Sequence, residues 1–397
     1  MASSAIPGWT SLRILHVTRT ASTVEAFLRP MLAEHRSRGH CVELALGCPS
    51  ERPVDFGVPV HLYPAERSLR PDRLIRTVDA LRAILQEGRF DVVVSHMVLA
   101  GLVTRLAFGL AGRPGRLLYA SHGLACYPTR NPVARWLALQ LEQSMRPWTD
   151  AMIVLNGFDY RLATQHRLAG ARAKVHLLHT VGIPYSRIVH TAETLDRQSY
   201  RQSLGLAPDV PVVTYAGRFI RPKGVQTFLE VARRMSAAGT RAQFVIAGSG
   251  PLEGLVRGFV EAQNLTAGVH LLGWHDDVPA LLAASDILCL PTFYEGAPVI
   301  LQEAMAAGIA VVASDVPGPQ DLIDDRHNGL LVAAGNINGF CSAISNLLAD
   351  EAWRRELGHR ARSHAALFDV SIWAPAWVDV IEAAARPGCP DSLRSAG

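Results

Sequence analysis

The chain alternates short apolar runs with longer stretches whose apolar positions recur every three to four residues. That is the pattern of buried strands joined by amphipathic helices. Residues 12–17 form the first apolar run, and a Thr/Ser-rich turn follows at 18–23. Val24, Phe27, Leu28, Met31 and Leu32 then fall at i, i+3, i+4, i+7 and i+8, one stripe of a helix. Pro30 should kink it and Gly39 should close it. Residues 41–46 read as the next strand, so the chain opens β-α-β, as a doubly wound domain does. Further strands are expected at 58–62, 90–95, 116–121 and 151–155. A helix at 70–86 turns Leu74, Val78, Leu81 and Leu85 inward and Arg70, Arg73, Arg76 and Arg82 outward. Another, at 131–146, carries Trp136, with Trp148 just beyond it. The rhythm breaks over the polar stretch 178–201 and restarts with strands at 210–216, 243–247, 269–272, 286–290 and 309–313. Helices close the pattern at 353–368 and 372–384. The resulting division is 1–185, 186–370, a helix at 371–386 crossing back to the first domain, and a Pro/Gly/Ser-rich tail at 387–397 expected to be disordered.

The most informative stretch is residues 292–314, T-F-Y-E-G-A-P-V-I-L-Q-E-A-M-A-A-G-I-A-V-V-A-S. A buried strand ends at Pro291, and a polar loop carries Glu295. Pro298 suits the first turn of a helix, Gly308 suits its left-handed cap, and a second buried strand follows. Parallel-sheet units bind ligands at the carboxyl ends of their strands. The amides of Gly296 and Ala297 would face an anion there, and Glu303 on the helix could accept both hydroxyls of a ribose diol. Two solvated acids would give the same Glu-x7-Glu spacing. One unit earlier, G-R-F-I-R-P-K-G at 217–224 places Arg218 and Lys223 on a loop at a strand end, a cation pair suited to a diphosphate. Lys223 stands out because only Lys174 accompanies it in an arginine-rich chain. G-S-G-P at 248–251 brings Gly250, which allows close backbone approach, and Pro251, expected to start a helix. In the first half, His122-Gly123 sits at the end of a strand, facing the ligand crevice. The other fourteen histidines supply no second candidate.

Charge sharpens this picture. Residues 1–190 hold 23 Lys+Arg and 13 Asp+Glu, net +10, and the remainder is net −6. A basic first half suits an anionic membrane surface or polyanionic partner, and equally a solvated surface with no partner. The tryptophans and arginines of 130–148 fit a membrane interface, or a core tryptophan beside solvated arginines. No run of about eighteen apolar residues exists for a membrane span, and residues 1–9 lack the pattern of a signal peptide. The six cysteines are scattered without metal-ligand spacing. Cys41 and Cys289 read as buried thiols in a reducing cytoplasm. The turn after the first strand has no G-x-G-x-x-G, which argues against a dinucleotide.

Taken together, G-R-F-x-x-x-K-G, A-G-S-G-P, E-G-A-P-x-x-x-x-E-A-M-A-x-G and N-G-L-L-V resemble the family-4 glycosyltransferases. In the first half, S-H-G at 121–123, Thr149-Asp150, Asn156 with Asp159-Tyr160 and V-G-I-P at 181–184 resemble the branch that builds bacterial surface polysaccharides and exopolysaccharides. The resemblance implies the α/β GT-B fold, two Rossmann-like doubly wound parallel-sheet domains facing a central cleft. It implies a retaining, metal-independent hexosyl or N-acetylhexosaminyl transferase at the inner face of the cell membrane, with a UDP-linked sugar as co-substrate and no other cofactor. The acceptor would be a polyprenyl-diphosphate-linked or other glycan, and no nucleic acid is involved. Position by position, Arg218 and Lys223 would hold the donor diphosphate and Glu303 the ribose. Gly250, Gly296, Ala297 and Pro298 would line the donor. Glu295 would meet the donor sugar, and so would His122 from the other domain. Two positions depart from the family pattern: Thr20-Ala21-Ser22 replaces a common Gly-Gly turn, and Asp321 stands where glutamate is more usual. A small-molecule acceptor, a nucleotide-sugar 2-epimerase and a non-catalytic GT-B protein are the competing readings.

Overall fold

The computed structural model describes residues 11–48, 54–65 and 70–385, so the expected tail at 387–397 lies outside the described residues. The chain forms two compact units. One comprises Met1–Cys126, Arg130–Val181 and Trp373–Gly397; the other comprises Tyr127–Thr129 and Gly182–Ile372. The helix Val370–Ala385 begins in the second unit and continues in the first.

The first unit is built on seven strands: β1 (Arg13–Thr20), β2 (Cys41–Cys48), β3 (Val60–Leu62), β4 (Val92–His96), β5 (Arg116–Ala120), β6 (Ala151–Val154) and β7 (Lys174–Leu177). They pair in the order β3-β2-β1-β4-β5-β6-β7, all parallel. The second unit has six: β8 (Val212–Ala216), β9 (Gln243–Ala247), β10 (Val269–Gly273), β11 (Ile287–Leu290), β12 (Ala310–Ser314) and β13 (Leu330–Val332). Their order is β10-β9-β8-β11-β12-β13, again all parallel. Central strands such as β4, β8, β11 and β12 are buried at every position, as strands covered on both faces must be. In the second unit Tyr215, Phe228, Phe244 and Ile246 pack one face of the sheet. Leu288, Leu301, Met305 and Val311 pack together in a separate cluster. Each sheet reverses its order once, between β1 and β4 and between β8 and β11. Such a reversal opens a crevice at the carboxyl ends of the two strands.

Several local expectations need correction. β1 continues through the expected turn to Thr20, and a helix starts at Ala21. At Pro30 the helix is interrupted as expected, by a change of helix type. Residues Val24–Leu28 form a π turn and a new helix, Arg29–Ser37, carries Pro30 in its first turn, where its missing N–H breaks no bond. The helix expected to begin at Pro251 starts at Glu253, whereas the helix at 299–307 has the expected bounds, with Pro298 as the residue just before its first turn. Gly308 caps its helix at φ 77°, as expected. Cys289 is buried but Cys41 is exposed. The helix Val98–Leu110 has no counterpart in the sequence reading, because it is apolar on nearly every side and shows no amphipathic stripe.

The largest correction concerns histidine. His16 on β1 and His96 at the end of β4 join His122 in a hydrogen-bonded file. His16 Nδ1 lies 2.9 Å from His96 Nε2, and His96 Nδ1 lies 3.0 Å from His122 Nε2. His35 packs 5.2 Å from the His16 ring and His40 5.8 Å from that of His35. His40 Nδ1 accepts from Leu12 N, which leaves Nε2–H to donate to Glu382 Oε1 at 2.8 Å. Burial pushes His16 down to about 3, and His122 to about 4. Burial also pushes His35 down, to about 2, with help from His16, His40 and Arg38, and holds His96 well below its usual range.

These shifts fix how stability depends on pH. Above pH 6.5 the four imidazoles are neutral in both folded and unfolded chains. Below it the unfolded chain takes up protons that the folded chain refuses, so stability falls as pH drops from 6.5 toward 4. Glu303, raised by burial to about 7, works in the opposite sense between 4.5 and 7, but it is one group against four. Thermal unfolding from pH 7.5 to 4.5 is expected to show a steep loss below 6.5. His35→Leu should flatten the slope by roughly 1.4 kcal/mol per pH unit, the effect of one proton. An unchanged slope would show that His35 takes up protons in the folded chain.

Candidate active site

The reversal between β8 and β11 places two loops side by side. The loop after β8 ends in a tight turn, Arg221–Lys223, and in Gly224 at φ 72°. A Cβ on Gly224 would fall 1.8 Å from the Pro291 carbonyl oxygen, so only glycine lets this loop lie against the one after β11. Pro222 O then accepts from Thr292 Oγ1 and from Phe293 N, both at 2.8 Å. Across this seam Lys223 Nζ meets Glu295 Oε2 at 2.5 Å. Glu295 is 5 % exposed, whereas the lysine side chain is more open at 29 %. A buried carboxylate requires such a partner. The pair therefore fixes the direction of the lysine as much as it neutralises the acid.

The β9 loop joins the same edge. Phe219 N donates to Ser249 O at 2.8 Å, and Leu252 N donates to Phe219 O at 3.1 Å. Between them Gly250, at φ 153°, lies so close that a Cβ would sit 2.8 Å from Phe219 O. Arg218 is exposed, and its own carbonyl accepts from the buried Tyr215 hydroxyl. Glu295 N donates to Pro317 O at 3.3 Å, tying in the loop after β12. Arg218, Lys223, Gly250, Glu295, Gly296, Ala297 and Pro298 thus all belong to the carboxyl-end loops of one sheet.

Glu303 lies on the second turn of the helix Val299–Ala307, half-buried. Among the described residues no side chain or backbone amide bonds its carboxylate. Burial alone pushes its pKa up to about 7. Near neutral pH this carboxyl group is poised between its two forms, and a ligand donating two hydroxyls would favour the charged one.

His122 belongs to the first unit and follows β5 at φ 51°. Its turn is pinned on both sides. Ser121 N donates to Ile153 O at 3.0 Å, and Leu124 N donates to Asp159 Oδ2 at 2.9 Å. Asp159 is itself held by Asn156, which caps the helix Gly157–Gln165. His16 and His96 went unnoticed in the sequence, although β4 and β5 are followed or ended by Ser-His in the same way. Two strands finishing on Ser-His was the available signal. Among the described residues no three His, Cys, Asp or Glu side chains converge as a metal site.

Residues 22–181 match the family described as glycosyl transferase 4-like domain, and residues 196–364 match glycosyl transferases group 1. The GalNAc-alpha-(1->4)-GalNAc-alpha-(1->3)-diNAcBac-PP-undecaprenol alpha-1,4-N-acetyl-D-galactosaminyltransferase of Campylobacter jejuni is 30% identical over 311 residues, which cover 76% of this chain and 77% of that protein. The UDP-Gal:alpha-D-GlcNAc-diphosphoundecaprenol alpha-1,3-galactosyltransferase of Escherichia coli is 26% identical over 70% of this chain and 71% of its own. Among solved structures, Anabaena Alr3699/HepE in complex with UDP and glucose superposes with a TM-score of 0.76 at 18% identity, covering 94% of this chain and all of the other. The two parallel-sheet units, the loops at their carboxyl edges and these relatives lead to one conclusion: the chain belongs to the family-4 glycosyltransferases and has the GT-B fold.

Proposed function

We propose that this glycosyltransferase moves a hexosyl or N-acetylhexosaminyl group from a UDP-linked donor to a polyprenyl-diphosphate-linked glycan, with retention at the anomeric carbon and without a metal. The observation that carries the donor half is Glu303, a half-buried carboxylate with a raised pKa and no bonding partner among the described residues. A ribose 2′,3′-diol supplies the two donors it lacks. Uridine is supported by the Escherichia coli relative, named for UDP-Gal, and by the Anabaena protein, crystallised with UDP. The lipid-linked acceptor follows from the undecaprenol-linked acceptors in the names of both bacterial relatives.

In this reading Arg218 and Lys223 neutralise the diphosphate as it leaves, the role a metal plays elsewhere. The bond between the anomeric carbon and the diphosphate oxygen breaks. The acceptor oxygen bonds to the same face of that carbon, and its proton passes to the leaving diphosphate. Glu295 orients Lys223 and meets the donor sugar. It is a poor nucleophile while Lys223 holds its Oε2. His122 hydrogen-bonds a hydroxyl of the transferred sugar.

A membrane-bound acceptor calls for a membrane-facing surface. The helix Pro132–Met145 leaves Val133, Trp136, Leu137 and Leu141 exposed at i, i+3, i+4 and i+8. Apolar and aromatic side chains on one exposed helical stripe, in a half of net charge +10, suit the interface of an anionic bilayer at the cytoplasmic face. Among the described residues no helix is long and apolar enough to cross a membrane.

Two measurements test these proposals. In a metal-free thermal-shift screen of UDP-, GDP-, ADP- and dTDP-sugars, a UDP-sugar should raise the melting temperature with concentration. Its affinity should increase as pH rises through 7, where Glu303 becomes the better acceptor, and Glu303→Gln should weaken binding and remove that pH dependence. A selective shift with another nucleotide, or none, would rule out the UDP reading. Separately, the protein should sediment with anionic vesicles at low salt and less with zwitterionic ones, and Trp136→Glu should release it. Equal partitioning of wild type and variant would remove this helix from any membrane contact.

A further inference from the structure

The imidazole of His122 has one polar atom left for a ligand. Phe27 stacks near one side of the ring, with centroids 5.9 Å apart, and Trp377 is nearly parallel to it at 5.8 Å and 14°. Trp377 is itself fully buried and anchored by its Nε1–H on Thr180 O at 2.8 Å. Nε2 is engaged by His96, so only Nδ1 remains available.

Whether Nδ1 donates or accepts is not set at His122. A neutral imidazole carries one proton, so each nitrogen–nitrogen contact needs a donor on one ring and an acceptor on the other. Along three rings only two neutral arrangements satisfy both contacts. In one, His16 Nδ1–H donates to His96 Nε2, His96 Nδ1–H donates to His122 Nε2, and His122 keeps its proton on Nδ1. In the other every proton sits on Nε2, and His122 offers a bare Nδ1. An imidazolium at the centre could donate to both neighbours, but burial holds His96 in its neutral form near pH 7.

The far end of the file separates the two. His16 Nε2 is buried and has no hydrogen-bond partner, and neither ring nitrogen of the adjacent His35 reaches it. The second arrangement would seal an N–H donor there with nothing to accept it, which orphaned buried N–H groups rarely survive. We propose that His16, acting through His96, locks His122 as the Nδ1–H tautomer, so that this ring presents a hydrogen-bond donor to an acceptor oxygen of its ligand. His16 and His96 are positioning residues: neither is exposed, and both act through the third ring. That the ligand oxygen belongs to the donor sugar rests on the function proposed above. The tautomer itself does not.

The test is nitrogen NMR of the full-length, ligand-free protein labelled with 15N-histidine at pH 7.5, with His122 assigned by its loss in His122→Gln. Its Nδ1 should show the shift of a protonated nitrogen and its Nε2 that of an unprotonated one. In His16→Leu, which touches His122 nowhere, the pair of shifts should move toward averaging between tautomers, because the far-end constraint is gone. If wild-type His122 carries its proton on Nε2, the proposal is overturned without need of a variant. If His16→Leu folds and leaves both shifts where they were, His16 is packing and no more. Transfer assays then bear only on the ligand. A variant with altered shifts but unchanged KM and kcat for every sugar donor would detach the file from the transferase reading while leaving the tautomer assignment intact.

Discussion

The second unit depends on one close approach, that of Gly224 to the Pro291 carbonyl. A parallel sheet covered on both faces has only its strand ends left for chemistry. Where the order reverses, the two bordering loops must meet without filling the crevice between them. A glycine in the left-handed region brings the β8 loop onto the β11 loop, and the two bonds to Pro222 O hold it there. Lys223 can then reach Glu295 across the seam. A side chain at 224 would separate a cation and an acid that the chain places 72 residues apart.

The first unit uses the same topological position with different chemistry. Its reversal lies between β1 and β4, and the side chains that meet there are His16 and His96, with His122 from the neighbouring β5. One sheet therefore ends in charged groups and the other in neutral, directional ones. Burial enforces the difference. It keeps the imidazoles uncharged, while the buried acid of the second unit stays paired with a partly exposed lysine.

The parts visible in the sequence are those in which residue type and spacing coincide with a local structure. E-G-A-P before a helix, G-R-F-x-x-x-K-G after a strand and Gly308 at a helix end each describe a few consecutive residues, and each lies where expected. The strand series was legible for the same reason, since fully buried strands are continuous apolar runs. The histidine file was not, because His16, His96 and His122 become neighbours only through the order of strands in a sheet, which no periodicity encodes. The helix Val98–Leu110 escaped because burial on most sides erases the stripe by which a helix is recognised. Proline misled at Pro251, because a residue favoured inside the first turn is also favoured just before it.

The helix Val370–Ala385 gives the first unit a discontinuous core. Trp377, which stacks on His122, bonds Thr180 from 197 positions away in the chain, and Glu382 completes the environment of His40 from 342 away. Synthesis on the ribosome runs in one direction. The strands of the first unit therefore emerge long before the helix that covers their histidines, whereas the second unit is almost contiguous in the chain. Trp377 lies nearly parallel to the His122 ring and 6.4 Å from that of His96, so part of the cover that keeps these imidazoles neutral comes from this late segment. The neutral, directional edge of the first sheet is therefore completed by a segment that follows the whole second unit in the chain.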